Sequence, residues 1–197
     1  EWDANNIEMI LSEDSFEIDA GEEEEFTITF SGPTKLSADI SYSFTLNAQV
    51  DNWGGVPWDS FNANASYEGE FTVSTYGMVE LEMSDKSIRT LELDEERAIT
   101  FQFSNYGNDD DKIKVSIANE AELIESGFSF PLGSFIAEDV AAGGVSSIRE
   151  LTVSAPSEVT KEIRVQLIIR AESNNDDSAE FSEIVITLLV EKPSEIS

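Results

Sequence analysis

Apolar and polar side chains alternate with a period of two through most of this chain, which restricts the fold to sheets whose strands each bury one face. Phe26-Thr27-Ile28-Thr29-Phe30, Ile99-Thr100-Phe101-Gln102-Phe103 and Ile163-Arg164-Val165-Gln166-Leu167 are the clearest cases. β-Branched and aromatic residues fill these segments. Clusters of Gly, Asn and Asp punctuate them at Ser31-Gly32-Pro33, Asn105-Tyr106-Gly107-Asn108 and Asn174-Asn175-Asp176-Asp177. No stretch sustains a helical period, and at most a turn or two of helix is expected, near Ala118–Glu125 or Ala137–Ala142. The longest apolar run, Ile184 to Val190, is far short of the roughly 20 residues of a spanning helix and reads as a buried strand.

The alternation conceals a repeat. Residues 7–16 align with 79–88, and 22–31 with 95–104; of these 20 paired positions eight are identical, including Ser12 with Ser84 and Phe30 with Phe103. The correspondence resumes between 40–48 and 163–171, so about fifty residues of the second unit, near 105–155, lack a counterpart in the first.

Strands are expected near 7–11, 15–18, 25–31, 38–49 and 64–75 in the first unit. The second is expected to carry them near 79–84, 88–93, 97–104, 112–118, 127–130, 147–154, 162–171 and 181–191. Eight strands match an antiparallel sandwich. Five are few for closing two sheets, so the first unit is either capped by its own loops, packed on the second, or completed by a neighbour's strand. The fold class read here is all-β: tandem Ig-like antiparallel β-sandwiches, the first abbreviated. The expected division is 1–76 and 77–192, with the polar Pro/Ser stretch 193–197 as a linker. A chain opening Glu1-Trp2-Asp3 is expected to be a segment of something longer.

Charge narrows the function classes. Forty-one acidic and 11 basic residues give a formal net charge of −30, a field that repels phosphate backbones and anionic lipids, so neither nucleic acid nor membrane insertion is expected. Cations, basic proteins and neutral glycans remain as partners. Cysteine and histidine are both absent, which removes disulfides, thiol chemistry, histidine-based nucleophile dyads and the usual zinc ligand sets. Gly54-Gly55 and Gly143-Gly144 lack the lysine and helix of a phosphate-binding loop. An enzyme is not expected.

Within the second unit, a strand ending in Ser104-Asn105-Tyr106-Gly107-Asn108, the step Ala142-Gly143-Gly144, and the strand Leu151-Thr152-Val153-Ser154-Ala155-Pro156 before a closing hairpin resemble the CARDB-type Ig-like domains of archaeal and bacterial envelope proteins. The resemblance spans about 110 residues and reaches the first unit only in its outer strands. It implies repeated extracellular modules serving as spacers, adhesion elements or accessory domains, with no shared catalytic residues.

Two features are candidates for binding. Asn105, Asn108, Asp109, Asp110 and Asp111 follow one strand, and Asn174, Asp176 and Asp177 sit in the last hairpin; an Ig-like sandwich brings both loops to the end facing the first unit. Such a set suits Ca²⁺, which takes six to eight oxygens, and equally suits solvated turns, where Asn and Asp are the ordinary residues. In the loop Asp51-Asn52-Trp53-Gly54-Gly55-Val56-Pro57-Trp58, Trp53 and Trp58 either offer flat faces to a glycan or partner protein or fold back into a thin core. Asn64-Ala65-Ser66 is a glycosylation sequon. The residues together read as a non-catalytic structural or adhesive module of a cell-surface or secreted protein. Its expected partners are other domains of the same protein or neighbouring surface subunits, with glycan binding and strand-complemented self-assembly as rivals.

Overall fold

The structure, a computed structural model, describes residues 7–32, 36–57, 63–83 and 88–192, apart from the side chains of Trp53 and Pro57. The chain divides into two compact units, Glu1–Ser74 and Thr75–Ser197.

In unit 1, β1 (Glu8–Leu11) pairs antiparallel with β2 (Ile28–Ser31), and β3 (Ser41–Gln49) with β6 (Asn64–Thr72). Between the latter pair, β4 (Asn52–Trp53) and β5 (Val56–Pro57) form a small hairpin. The two main layers meet through rings: Phe30 lies 4.4 Å from Phe71 and 5.1 Å from Phe44, and Tyr42 stacks on Phe71 at 5.5 Å. Phe44 faces Gly69 in register, and a Cβ at Gly69 would stand 2.3 Å from the Phe44 ring, so the glycine lets that ring lie across the β6 backbone. Ser15–Ile18 forms no strand, contrary to the period-two reading; Phe16 instead packs on Phe26 at 5.6 Å. Among the described apolar residues of unit 1 only Ile7 is buried.

Unit 2 is a closed sandwich. Its strands are β7 (Val79–Glu82), β8 (Ile88–Leu91), β9 (Glu96–Asn105), β10 (Asp111–Ile117), β11 (Phe135–Val140), β12 (Arg149–Ser154), β13 (Ile163–Glu172) and β14 (Ser182–Val190), with one helix, α1 (Glu120–Glu125). One sheet runs β12-β9-β7 and the other β11-β10-β13-β14-β8. β7 and β8 belong to different sheets, and β8 pairs parallel with β14, whereas the other pairings are antiparallel. The alternating side chains meet in the middle: Ile99, Phe103, Ile113, Leu167, Ile169, Ile186 and Leu188 are fully buried. No described helix is long and apolar enough to cross a membrane.

Strand pairing repeats with the sequence. Glu8 opposes Ser31 and Met9 opposes Phe30 in unit 1; the aligned residues Glu80 and Leu81 oppose Ser104 and Phe103 in unit 2. β3 and β6 pair in unit 1 as β13 and β14 do in unit 2. The fifty unmatched residues supply β10, α1, β11 and β12, so unit 1 keeps the outer strand pairs and lacks the strands that widen and close the sandwich.

Helix α1 stays short for local reasons. Glu120 and Glu122 favour its first turn, and Gly127 at φ +88° ends it. Phe128 N–H then reaches Leu123 O, and Gly127 N–H reaches Ile124 O, with Leu123 and Phe128 both buried. The other expected helical turn, Ala137–Ala142, is instead the end of β11 and its following turn. Pairing with β10, from Asp111↔Val140 to Ser116↔Phe135, outweighs the modest helix preference of Ala and Glu there. The strand expected at 127–130 reduces to a single bridge, Ser129 to Ser154.

Candidate functional site

The Asn/Asp turns of unit 2 assemble at one end of the sandwich, around the segment by which the chain enters it. Asn105, the last residue of β9, is wholly buried. Its side-chain amide donates to the carbonyls of Asp109 (2.8 Å) and Val140 (2.9 Å), and its Oδ1 accepts from Gly107 N–H (2.9 Å). Its backbone N–H donates to Gly144 O and its carbonyl accepts from Gly143 N–H. One side chain thus ties β9, the following turn and the end of β11 together. Gly107 has no room for a side chain, since a Cβ there would stand 2.6 Å from the Tyr76 carbonyl.

The entering strand is held by the same turns. Tyr76 N–H donates to Asn108 Oδ1 (2.8 Å), Gly77 N–H to Asp176 Oδ2 (2.9 Å) and Tyr106 N–H to Met78 O (2.7 Å). Asp111, nearly buried, accepts from Ser173 Oγ (2.5 Å) and Asn174 N–H (3.0 Å). Asp110 accepts from Ala142 N–H, Asp109 from Asp110 N–H, and Asn175 donates to Asp110 O. Ser178 donates to Asp176 Oδ1, and this bond, with that from Gly77 N–H, holds the Asp176 carboxyl below its usual range. Each of these carboxylates accepts from its own N–H or O–H groups. Asp177 is exposed. Among the described residues no group of three or more acidic side chains gathers to hold a metal ion. The residues proposed as calcium ligands from the sequence, Asn105, Asn108, Asp109, Asp110, Asp111, Asn174, Asp176 and Asp177, are placed at one end of unit 2, where eight of their side-chain oxygens serve as acceptors in a clasp.

The loop with the tryptophans is a two-residue hairpin. Gly54 and Gly55 both have positive φ, +59° and +81°, the conformation that a tight turn between twisted strands requires. Trp58 lies outside the described residues, as does the side chain of Trp53. Asn64 is exposed at the first position of β6, opposite Gln49.

A second polar contact, not singled out from sequence, closes the lateral edge of unit 2. β11 and β12 are edge strands of different sheets, and Glu138 of β11 accepts from Arg149 of β12 and from Ser147 N–H. The Arg149 bond, aided by Ser147, lowers the Glu138 carboxyl from its ordinary 4.5. A lowered folded value means that the contact contributes its full stability above about pH 4.5 and loses it as pH falls through the folded value. Glu138→Gln is therefore expected to lower stability modestly at pH 7 and to differ little from the parent in strong acid, as read by urea midpoints across pH. A constant difference across that range would contradict this role.

No protein-family model matches the chain, and no curated protein matches it. By fold it is a nearly all-β protein of Ig-like sandwich type. Similar solved structures include the CooA pilin subunit of enterotoxigenic Escherichia coli, 14% identical over 59% of this chain and 99% of that one, with a TM-score of 0.42. A PapD-like (ASH) domain of human CEP192 is 12% identical over 60% and 87%, with a TM-score of 0.36. A CARDB domain from Pyrococcus furiosus, solved in complex with di-metal ions, is 10% identical over 58% and 88%, with a TM-score of 0.32.

Proposed function

We propose that this chain is a non-catalytic structural module of a cell-surface or secreted protein, whose tandem Ig-like units space and dock neighbouring parts. The parallel pairing of β8 with β14, Ile88 beside Thr187 through Leu91 beside Val190, carries this reading. β8 is close to the start of unit 2 and β14 is its last strand. Tension along the chain pulls two parallel strands in opposite directions along their common axis. It loads the hydrogen bonds between them together, whereas an antiparallel hairpin pulled at its open end breaks bonds one at a time. The clasp on Tyr76 and Gly77 anchors the entering segment from which such tension would arrive. The exposed sequon at Asn64 and the heavily hydrated acidic surface support an extracellular setting.

Stretching single molecules by their ends tests the reading. Unit 1, in which only Ile7 of the described apolar residues is buried, is expected to extend at low force and unit 2 at a clearly higher one. Equal forces for the two would remove the basis for a mechanical role.

The Gly54–Gly55 hairpin, with Val56 exposed beside it, favours a second reading in which this element docks a glycan or a protein through Trp53 and Trp58. Titration with oligosaccharides, followed by tryptophan fluorescence, separates the two, because a spacer leaves the emission unchanged.

A further inference from the structure

The few basic residues of this acidic chain are not scattered. Strand register places Lys112 and Lys114 of β10 and Arg164 and Arg170 of β13 on the outer face of the five-stranded sheet, since the residues alternating with them, such as Ile113, Val115, Leu167 and Ile169, are buried inside. The acids on that face are Asp139, beside Lys112, Glu172, beside Lys114, and Glu183, beside Arg170. Within the strands, four of the chain's 11 basic residues thus share a face with three of its 41 acids, and Glu162 and Glu191 flank its open end. Arg170 is engaged, 2.8 Å from Glu183 and over the Phe181 ring at 4.1 Å. Lys112, Lys114 and Arg164 are exposed and make no ion pair among the described residues.

The middle of the face mixes apolar side chains with the polar pair Gln166 and Thr187. Ile168 lies beside Val185, which is 43% exposed, and Leu189 beside Arg164; Ile88, 54% exposed, flanks Thr187. Exposed apolar side chains with charged residues around them suit a protein-binding surface, and the cations set the sign of what it takes.

We propose that this face binds the acidic surface of a second copy of the chain, through a contact independent of the mechanical role above. Charge complementarity carries the choice of occupant. Elsewhere the chain is overwhelmingly anionic, with Glu22–Glu25 of unit 1 an exposed run of four carboxylates, so each copy offers what the three unpaired cations lack. The net charge of −30 opposes close approach at low salt, but at about 0.15 M it is screened beyond about 8 Å, and local contacts then decide. Because the two contacting surfaces differ, the contact is heterologous and can repeat from copy to copy.

Sedimentation velocity of the full chain near physiological salt tests this. Weak, concentration-dependent self-association is expected, weakened about tenfold or more by Lys112→Glu with Lys114→Glu. Lys161→Glu with Lys192→Glu, which changes net charge equally, is expected to leave it almost unaltered. If the first pair disturbs folding in a thermal melt, Lys112→Gln with Lys114→Gln removes the charges without setting new carboxylates beside Asp139 and Glu172. A monomer at every concentration, an equal effect of both charge-reversed pairs, or binding of alginate by this face without self-association would each overturn the proposal.

Discussion

Replacing Asn105 by alanine is expected to destabilise unit 2 by about 3 kcal/mol, because two buried hydrogen bonds and one part-buried one are lost at once. The carbonyls of Asp109 and Val140 would each lose a donor and Gly107 N–H its side-chain acceptor, around a residue that is itself wholly buried. In a unit of this size the loss corresponds to a midpoint about 10 °C lower. Asn105→Asp provides an internal check. It keeps the shape and the acceptor for Gly107 but cannot donate, and it sets a carboxylate against two carbonyl oxygens, so its cost is expected to equal or exceed that of alanine. Thermal melts followed at the amides of β9 and β13 measure both. A near-neutral Asn105→Asp would mean that the two donated bonds are not made.

The second large effect contrasts two positions that the repeat makes equivalent. Phe103 is fully buried in the sandwich of unit 2, and Phe103→Ala is expected to cost about 3–5 kcal/mol by removing the ring and leaving a cavity. Phe30 occupies the same place in the same strand pair of unit 1, opposite Met9, but is only half-buried, among Phe44 and Phe71. Phe30→Ala is expected to cost roughly 1–2 kcal/mol, the value of partial burial and ring contacts without a closed cavity. Denaturant titrations of the two variants decide it. Equal costs would show that unit 1 has a core as complete as that of unit 2, and that its missing strands matter little.

Much of the fold was legible because a period of two has few alternative meanings. The alternation in Ile99-Thr100-Phe101-Gln102-Phe103 placed three apolar side chains on the buried face of β9, where they lie. The repeat was informative beyond strand location, since equivalent residues pair in equivalent register, Glu8 with Ser31 and Glu80 with Ser104. What escaped were segments whose state is set by a distant partner. Phe135-Ile136-Ala137-Glu138-Asp139-Val140 has a composition that suits a helical turn at its end, and only the exposed edge of β10 makes it a strand. Ser15–Ile18 has the alternation of a strand but no described neighbour to pair with.

The candidate site was legible in position and not in role. Asn and Asp at 105–111 and 174–177 announce turns, and an Ig-like topology brings those turns to one end, but composition does not say where each oxygen points. Gly77 and Gly107 carried the missing information. Each lies where a Cβ would collide with another loop, 2.2 Å from Ser173 Oγ for Gly77 and 2.6 Å from Tyr76 O for Gly107. Glycines beside acidic turns are a sign of close backbone packing, which favours a clasp of amide donors over an open set of ligands. The Glu138–Arg149 contact had no signal in the sequence, because edge strands of two sheets become neighbours only after the sandwich has formed.

A mechanical role requires unit 2 to resist tension through β8 and β14, and pulling one protein in two directions measures this most directly. Handles at the chain ends load the parallel pair in shear, while handles at Glu162 and Glu191, which flank the open end of the β13–β14 hairpin, peel an antiparallel ladder bond by bond. A much higher unfolding force is expected for unit 2 in the first geometry than in the second. Forces that do not depend on direction would contradict it, and would leave β8 as an ordinary edge strand with no mechanical part.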